Sequence, residues 1–327
     1  MKPSSKNPFL LPALIVGLAL LPAGLVTAQT FTNLHSFTGD TDGAYPQSVI
    51  LSGNILYGTA DGGGSYGSSG FGSGAVFAIN ADGTGFTNLH TFTTNTGYPT
   101  YINSDGANPG SRLILSGNTL YGTARSGGTG GAGTIFAVNT DGTGFTNLHS
   151  FAAPSGPLYT NSDGADPVAG LILSGNILYG TAEYGGSSGS GTVFAVNTDG
   201  TGFTNLYNFT ATSGAYPSIN GDGAVPVGDL ILSGNTLYGT TYGGGSSGSG
   251  TVFSLSLPPP PLTITPSGTN VILTWPTYAP EVTLQSTTNL VSPAGWNTVS
   301  PASAVVSGLN TVTNPISDTQ RFYRLSQ

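Results

Sequence analysis

The chain has 327 residues, 52 of them glycine and 22 proline, and only 6% are charged. So few charges exclude ion-pair networks as the main source of stability. A formal net charge of −8 excludes the basic surface that nucleic acid phosphates or anionic lipid would need, and the lack of cysteine excludes disulfides and thiol chemistry.

The first 28 residues read as a secretory signal. Lys2 and Lys6 give a positive start, an apolar run extends from Phe9 to about Leu21, and Val26 and Ala28 are the small residues before a cut at Gln29. An N-terminal membrane anchor is the alternative, but Pro12 and Pro22 interrupt the run. The expected location is extracytoplasmic, secreted or at the cell surface, with no transmembrane helix in the mature chain.

Residues 29–257 are built from internal repeats. FTNLHSF at 31–37 returns as FTNLHTF at 86–92, FTNLHSF at 145–151 and FTNLYNF at 203–209. Between these stand VILSGNILYGTA at 49–60 and its equivalents at 113–124, 171–182 and 230–241, then GAVFAIN at 74–80 with equivalents at 133–139, 191–197 and 250–256. Each unit predicts four short strands: a (LILS), b (LYGTA), c (TVFAVN) and d (FTNLHSF). Ser-Gly-Asn makes a tight a–b turn and Asp-Gly-Thr-Gly a c–d turn, because glycine and asparagine tolerate positive φ. Strand d alternates, with Phe31, Asn33, His35 and Phe37 on one side. The chain opens on a lone strand d and closes on a unit without one. If strand 31–37 completes the fourth unit, the array becomes a four-bladed β-propeller whose edges are hidden. An open array, or a half-ring completed by a second copy, would use the same strands.

These residues resemble the bacterial GloVer, or choice-of-anchor, tandem repeats. The carrying pattern is LYGTxxxGG, a glycine-rich stretch and GTVFAVNxDGTG, at 56–85, 120–144, 178–202 and, without its last turn, 237–256. The resemblance implies an extracytoplasmic protein whose C-terminal segment serves sorting or attachment. It implies no reaction and no site.

Pro258 to Pro261 form a stiff linker. Residues 262–327 lose the glycine-rich stretches and read as about six strands of a small β-sandwich-like domain, immunoglobulin- or fibronectin-like, with Trp275, Trp296, Phe322 and Tyr323 as its core.

In a meander the b–c and d–a loops share one face, and all the long loops lie there. They carry Tyr45, Tyr66, Tyr98, Tyr101, Tyr159, Tyr184, Tyr216 and Tyr242, which suit carbohydrate through ring stacking. Each d–a loop also holds an acid or amide, a spacer and Asp-Gly: Asp40 and Asp42, Asn103 and Asp105, Asn161 and Asp163, Asn220 and Asp222. That resembles part of a calcium loop, although two side chains fall well short of the six to eight oxygens calcium takes. The pattern also makes an Asx-turn into strand a, the reading the sequence favours. Asp82, Asp141 and Asp199 belong to c–d turns. His35, His90 and His149 share one repeated position, occupied by Tyr207 in the fourth unit, which fits packing better than metal ligation. No carboxylate pair for glycoside hydrolysis stands out, since Glu183 and Glu281 are the only glutamates and Glu183 is Asp61, Arg125 or Tyr242 in the other repeats. The sequence therefore predicts a non-enzymatic module for glycan or cell-envelope protein, with no cofactor unless calcium binds. A structural envelope or matrix component is the alternative, and a polysaccharide-acting propeller enzyme a more remote one.

Overall fold

The computed structural model describes residues 30–64, 72–96, 101–214, 218–276, 282–291, 294–300, 302–306, 309–316 and 320–326. The expected secretory segment, residues 1–28, lies outside the described residues. Among those residues the regular structure is β, in 22 strands, and no helix is long and apolar enough to cross a membrane. The chain divides into two compact units, Met1–Asn33 and Leu34–Gln327, and every strand belongs to the second.

Three repeats fold as four-stranded antiparallel meanders in the order a-b-c-d. The first sheet is β1 (Ala44–Ser52), β2 (Ile55–Gly62), β3 (Ala75–Asn80) and β4 (Thr87–Thr91). The second is β5 (Ile114–Ser116), β6 (Thr119–Ala124), β7 (Thr134–Asn139) and β8 (Thr146–Ser150). The third is β9 (Ile172–Ser174), β10 (Ile177–Ala182), β11 (Thr192–Asn197) and β12 (Thr204–Asn208). The fourth has three strands: β13 (Ile231–Ser233), β14 (Thr236–Thr241) and β15 (Thr251–Ser256).

Strand d departs from strict alternation. A bulge falls between the pairs Val76↔His90 and Phe77↔Asn88, and again at the same place in the next two repeats. The extra residue buries Leu89 while His90 remains on its own side.

The sheets meet through one repeated junction. Tyr57, Val76, Ala78, Leu89 and Phe92 of the first repeat pack on Leu113, Leu120, Phe136 and Val138 of the second. Tyr121, Ile135, Leu148 and Phe151 pack in the same way on Leu171, Leu178, Phe194 and Val196. Tyr179, Val193 and Phe209 pack on Leu230 and Leu237. Each fully buried phenylalanine contributes about 2–3 kcal/mol of apolar burial. The glycine of LYGT is set by this packing, because a Cβ on Gly122 would lie 2.6 Å from the Phe136 ring and 2.9 Å from Leu113. Hydrogen bonds add direction: Thr59 and Thr123 donate to the carbonyls of Ser111 and Ala169 in the next repeat.

The expected strand at 31–37 does not complete the fourth sheet. Residues 30–38 form no strand, and β15 pairs only with β14 among the described residues. Leu34 and Phe37 instead pack with Ala60, Phe77 and Ile79 of the first sheet. Ring contacts explain this placement. Phe37 stands edge-on to Phe77 at 5.1 Å and His35 stacks on Phe86 at 3.9 Å, neither of which needs a backbone edge.

The C-terminal residues form two antiparallel sheets. One is β16 (Thr263–Ser267), β17 (Asn270–Pro276), β21 (Leu309–Pro315) and β20 (Ala304–Val306); the other is β19 (Asn297–Thr298), β18 (Thr283–Thr287) and β22 (Phe322–Ser326). Leu273, Trp275 and Val312 of the first share a core with Leu284 of the second, and Tyr323 packs against it. Trp296 is not in that core. It is half-buried, and the Arg324 guanidinium lies 4.2 Å from its ring centroid, a cation–π contact.

Candidate functional site

The d–a loops place the eight predicted metal-ligand candidates in four pairs, one pair per repeat. Each aspartate faces the repeated ring of the preceding strand d. Asp42 lies 3.1 Å from His35, Asp105 3.0 Å from His90, and Asp163 2.8 Å from His149. In the fourth, Tyr207 donates its hydroxyl to Asp222 at 2.7 Å. The backbone N–H groups of Thr38, Thr93, Ala152 and Thr210 also donate to these carboxylates. Burial pushes the Asp105 carboxyl up, but hydrogen bonds from His90 and Thr93 outweigh it and hold the group below the usual range. The same balance lowers Asp42 and Asp222.

The amides are equally occupied. Asn161 Oδ1 accepts the N–H groups of Gly164 (2.9 Å) and Gly186 (2.8 Å), and its Nδ2 donates to the carbonyls of Ala152 and Gly164. Asn103 and Asn220 repeat this set. Where Asp40 stands in the first repeat, its backbone carbonyl takes the N–H of Gly64. Each pair thus closes its own loop and ties the b–c loop to it. Among the described residues, no three His, Cys, Asp or Glu converge as metal ligands. Asp82, Asp141 and Asp199 each accept the N–H of the threonine two residues on, which is an Asx-turn.

The three histidines also bridge repeats. His90 stacks on Phe145 at 3.5 Å and His149 on Phe203 at 3.6 Å, each phenylalanine standing just before strand d of the next sheet.

The same loops share a second feature. The residue between Asp-Gly-Ala and Pro has positive φ in all four repeats: Tyr45 (56°), Asn108 (59°), Asp166 (54°) and Val225 (62°). This left-handed backbone aims N–H and C=O at two different loops. Asn108, Asp166 and Val225 donate to the carbonyls of Ser73, Ala132 and Ser190 in the preceding repeat, and their own carbonyls accept from Arg125, Glu183 and Tyr242. A β-branched Val225 in that region is strained.

The consequence is chemical. A fixed scaffold brings two variable positions together in each of these repeats: Asn108 with Arg125, Asp166 with Glu183, Val225 with Tyr242. Burial drives Asp166 up to about 6, the Arg125 charge opposing and the Glu183 charge assisting. A hydrogen bond to Glu183, with burial, holds Tyr184 up at about 12. Burial raises Asp61 as well, against the charge of Arg125. Tyr159 packs edge-on against Tyr184 at 6.1 Å. Beside this group lies a groove of about 700 Å³ lined by Tyr184, Ser190, Thr212, Val225, Tyr242 and Ser249.

Of the predicted loop tyrosines, Tyr159, Tyr184 and Tyr242 therefore gather at the third and fourth repeats, whereas Tyr45 and Tyr101 are exposed elsewhere. Tyr66, Tyr98, Tyr216 and Glu281 lie outside the described residues. The Asp166–Glu183 pairing escaped the sequence because the two are 17 positions apart and neither letter is repeated. The available signal was variability at positions 45, 108, 166 and 225 within an otherwise constant Asp-Gly-Ala-x-Pro.

Residues 158–271 match the model of the Gloeobacter/Verrucomicrobia repeat. Among curated proteins, none matches the sequence. Similar solved structures include the nidogen/laminin complex (15% identity over 73% of this chain and 74% of that one, TM-score 0.36). TolB from Acinetobacter baumannii (12%, 69% and 49%, 0.36) and the GH74 enzyme of Niastella koreensis (15%, 70% and 33%, 0.41) are also similar. The chain spans about half of that TolB and a third of that enzyme.

Proposed function

We propose that the protein is an extracytoplasmic binding module that holds glycan in the groove between Tyr184 and Tyr242. The observation that carries this reading is the groove itself. Two tyrosines, the hydroxyls of Ser190, Thr212 and Ser249, and glycine backbone line one cavity, a combination that stacks on sugar faces and bonds to sugar hydroxyls. The match to an extracytoplasmic type of repeat supports the location. We assign Asp166 and Glu183 to binding rather than hydrolysis, as groups beside the Tyr184 wall of the groove. The C-terminal sheets serve display.

The test is a glycan and polysaccharide array probed with the wild type and with Tyr184→Ala/Tyr242→Ala. The reading expects retention of at least one glycan class and a loss of 10-fold or more in the variant. Equal binding by both, or none by either, removes it.

The structural alternative, an envelope or matrix component, is favoured by a separate observation at the fourth sheet.

A further inference from the structure

The fourth sheet lacks what the other three share. Val76, Ile135 and Val193 are fully buried on their sheets, but the equivalent Val252 is 83% exposed. Ile231 and Tyr238, on the same side, are exposed as well. In the first three sheets this side is covered by the next repeat, and the edge of strand c is covered by strand d. In the fourth that side is uncovered, and at the free edge of β15 lies a cavity of about 290 Å³ lined by Tyr207, Phe209, Asp222, Val252 and Phe253 among others.

The repeats identify what belongs there. The rings His90, Phe92 and Phe136 surround Phe145, and His149, Phe151 and Phe194 surround Phe203. Tyr207, Phe209 and Phe253 are the same triad. No ring stacks on Tyr207 among the described residues. The equivalent phenylalanine in the only strand-d sequence that belongs to no sheet is Phe31, which is 95% exposed.

The other end of the array is open in a complementary way. Val49 on β1 is 54% exposed, where its equivalent Leu113 is 2% exposed against the preceding sheet. Leu34, His35 and Phe37 nevertheless sit on the first sheet as Leu89, His90 and Phe92 sit on the second. Residues 34–37 thus dock on their following sheet as the strands d of the other repeats do, although 30–38 form no strand of their own.

We infer that residues 31–37 of one copy complete the β13–β15 sheet of a second copy, with Phe31 filling the cavity beside Tyr207. The first sheet of one chain then stacks on the fourth sheet of the next, through the junction used three times inside each chain. The contact is head-to-tail, so it builds a ring where its rotation closes and a filament where it does not. Strand addition at an exposed edge supplies the backbone bonds, and the aromatic triad supplies the register. By the pairing of β11 with β12, Val252 faces His35 and Ser254 faces Thr32.

Full chains carrying Thr32→Cys and, separately, Ser254→Cys test this, the natural chain having no cysteine. Mixed and mildly oxidised, the two are expected to give a covalent dimer, while each alone does not. Sedimentation velocity should show association that rises with concentration and weakens 10-fold or more in Phe31→Asp. Since Phe31 is solvent-exposed, that variant should keep its fold, which its circular dichroism checks. A cross-link found only in the Thr32→Cys/Ser254→Cys double variant, at monomer mass, would show closure within one chain and overturn the proposal. So would a chain that stays monomeric at all concentrations, or association untouched by Phe31→Asp.

Discussion

Tyr207 donates its hydroxyl to Asp222 at 2.7 Å across the gap that His149 and Asp163 span at 2.8 Å in the preceding repeat. Two chemically different rings therefore make one latch. The carboxylate is the invariant half, because it also gathers a backbone N–H from the start of its loop. We expect His149→Tyr to hold thermal stability within about 1 kcal/mol, since the replacement keeps a ring and a donor. Asp163→Ala leaves a half-buried ring and the Ala152 N–H unpaired and should cost about 2–3 kcal/mol. Paired melting curves decide; equal losses would mean the ring identity matters as much as the acid.

Asp166 gives a pH signature. Its carboxyl is pushed up to about 6 from an ordinary 3.8, so the folded chain holds that proton more tightly than the unfolded one. Stability from this group is greatest below about 4, and it falls as pH rises through about 6. Asp166→Asn removes the cost of the charge and keeps a residue that the equivalent Asn108 shows to be at home at positive φ. The variant should be more stable by about 1–2 kcal/mol at pH 7.5, after allowance for partial exposure, with the gain shrinking toward pH 4. A pH-independent difference would contradict the burial of that carboxylate.

Calcium should change little. The Asn side chains of the d–a loops place both ends on backbone partners, and Asp42, Asp105, Asp163 and Asp222 are bonded to rings and N–H groups. We expect the melting temperature to agree within 1 °C or so in millimolar calcium and in EDTA. A calcium-dependent rise of several degrees, as ligand linkage would give, would mean these loops rearrange around an ion.

The glycine of LYGT should resist substitution despite its ordinary strand conformation. Gly122→Ala drives a methyl into Phe136 and Leu113, both held by neighbouring sheets, and should cost about 1–3 kcal/mol by overpacking. Gly117→Ala, at a turn where nothing lies within 4 Å, meets only the strain of its φ of 58°. A larger loss at Gly117 than at Gly122 would refute the packing account of the motif.

Much of the architecture was legible because a strand announces itself locally. LILS, LYGTA and TVFAVN carry β-branched and aromatic residues between Gly and Asn turns, and twelve of the fifteen strands of the repeats fall on them, the other three on the FTNLHSF segments. The bulge at Leu89 was not legible, since period-2 reading places Asn88 and His90 on one side whether or not a residue is extruded between them. The fate of 31–37 was not legible either. Its letters specify a strand d, but whether it finds an edge depends on where β15 lies, which no local pattern encodes. At the site, Tyr184 and Tyr242 were visible as loop residues, whereas the Asp166–Glu183 meeting depends on a positive φ that Tyr45 and Val225 disguise.

Hydrogen exchange along β15 shows whether this sheet is the unfinished end of a repeating stack. The amides of Val252–Ser254 are expected to exchange faster than those of Val193–Ala195 at low protein concentration. They should then gain protection as concentration rises, and lose that gain in Phe31→Asp. Protection equal to that of β11 at every concentration would contradict it, by showing the edge already closed within one chain.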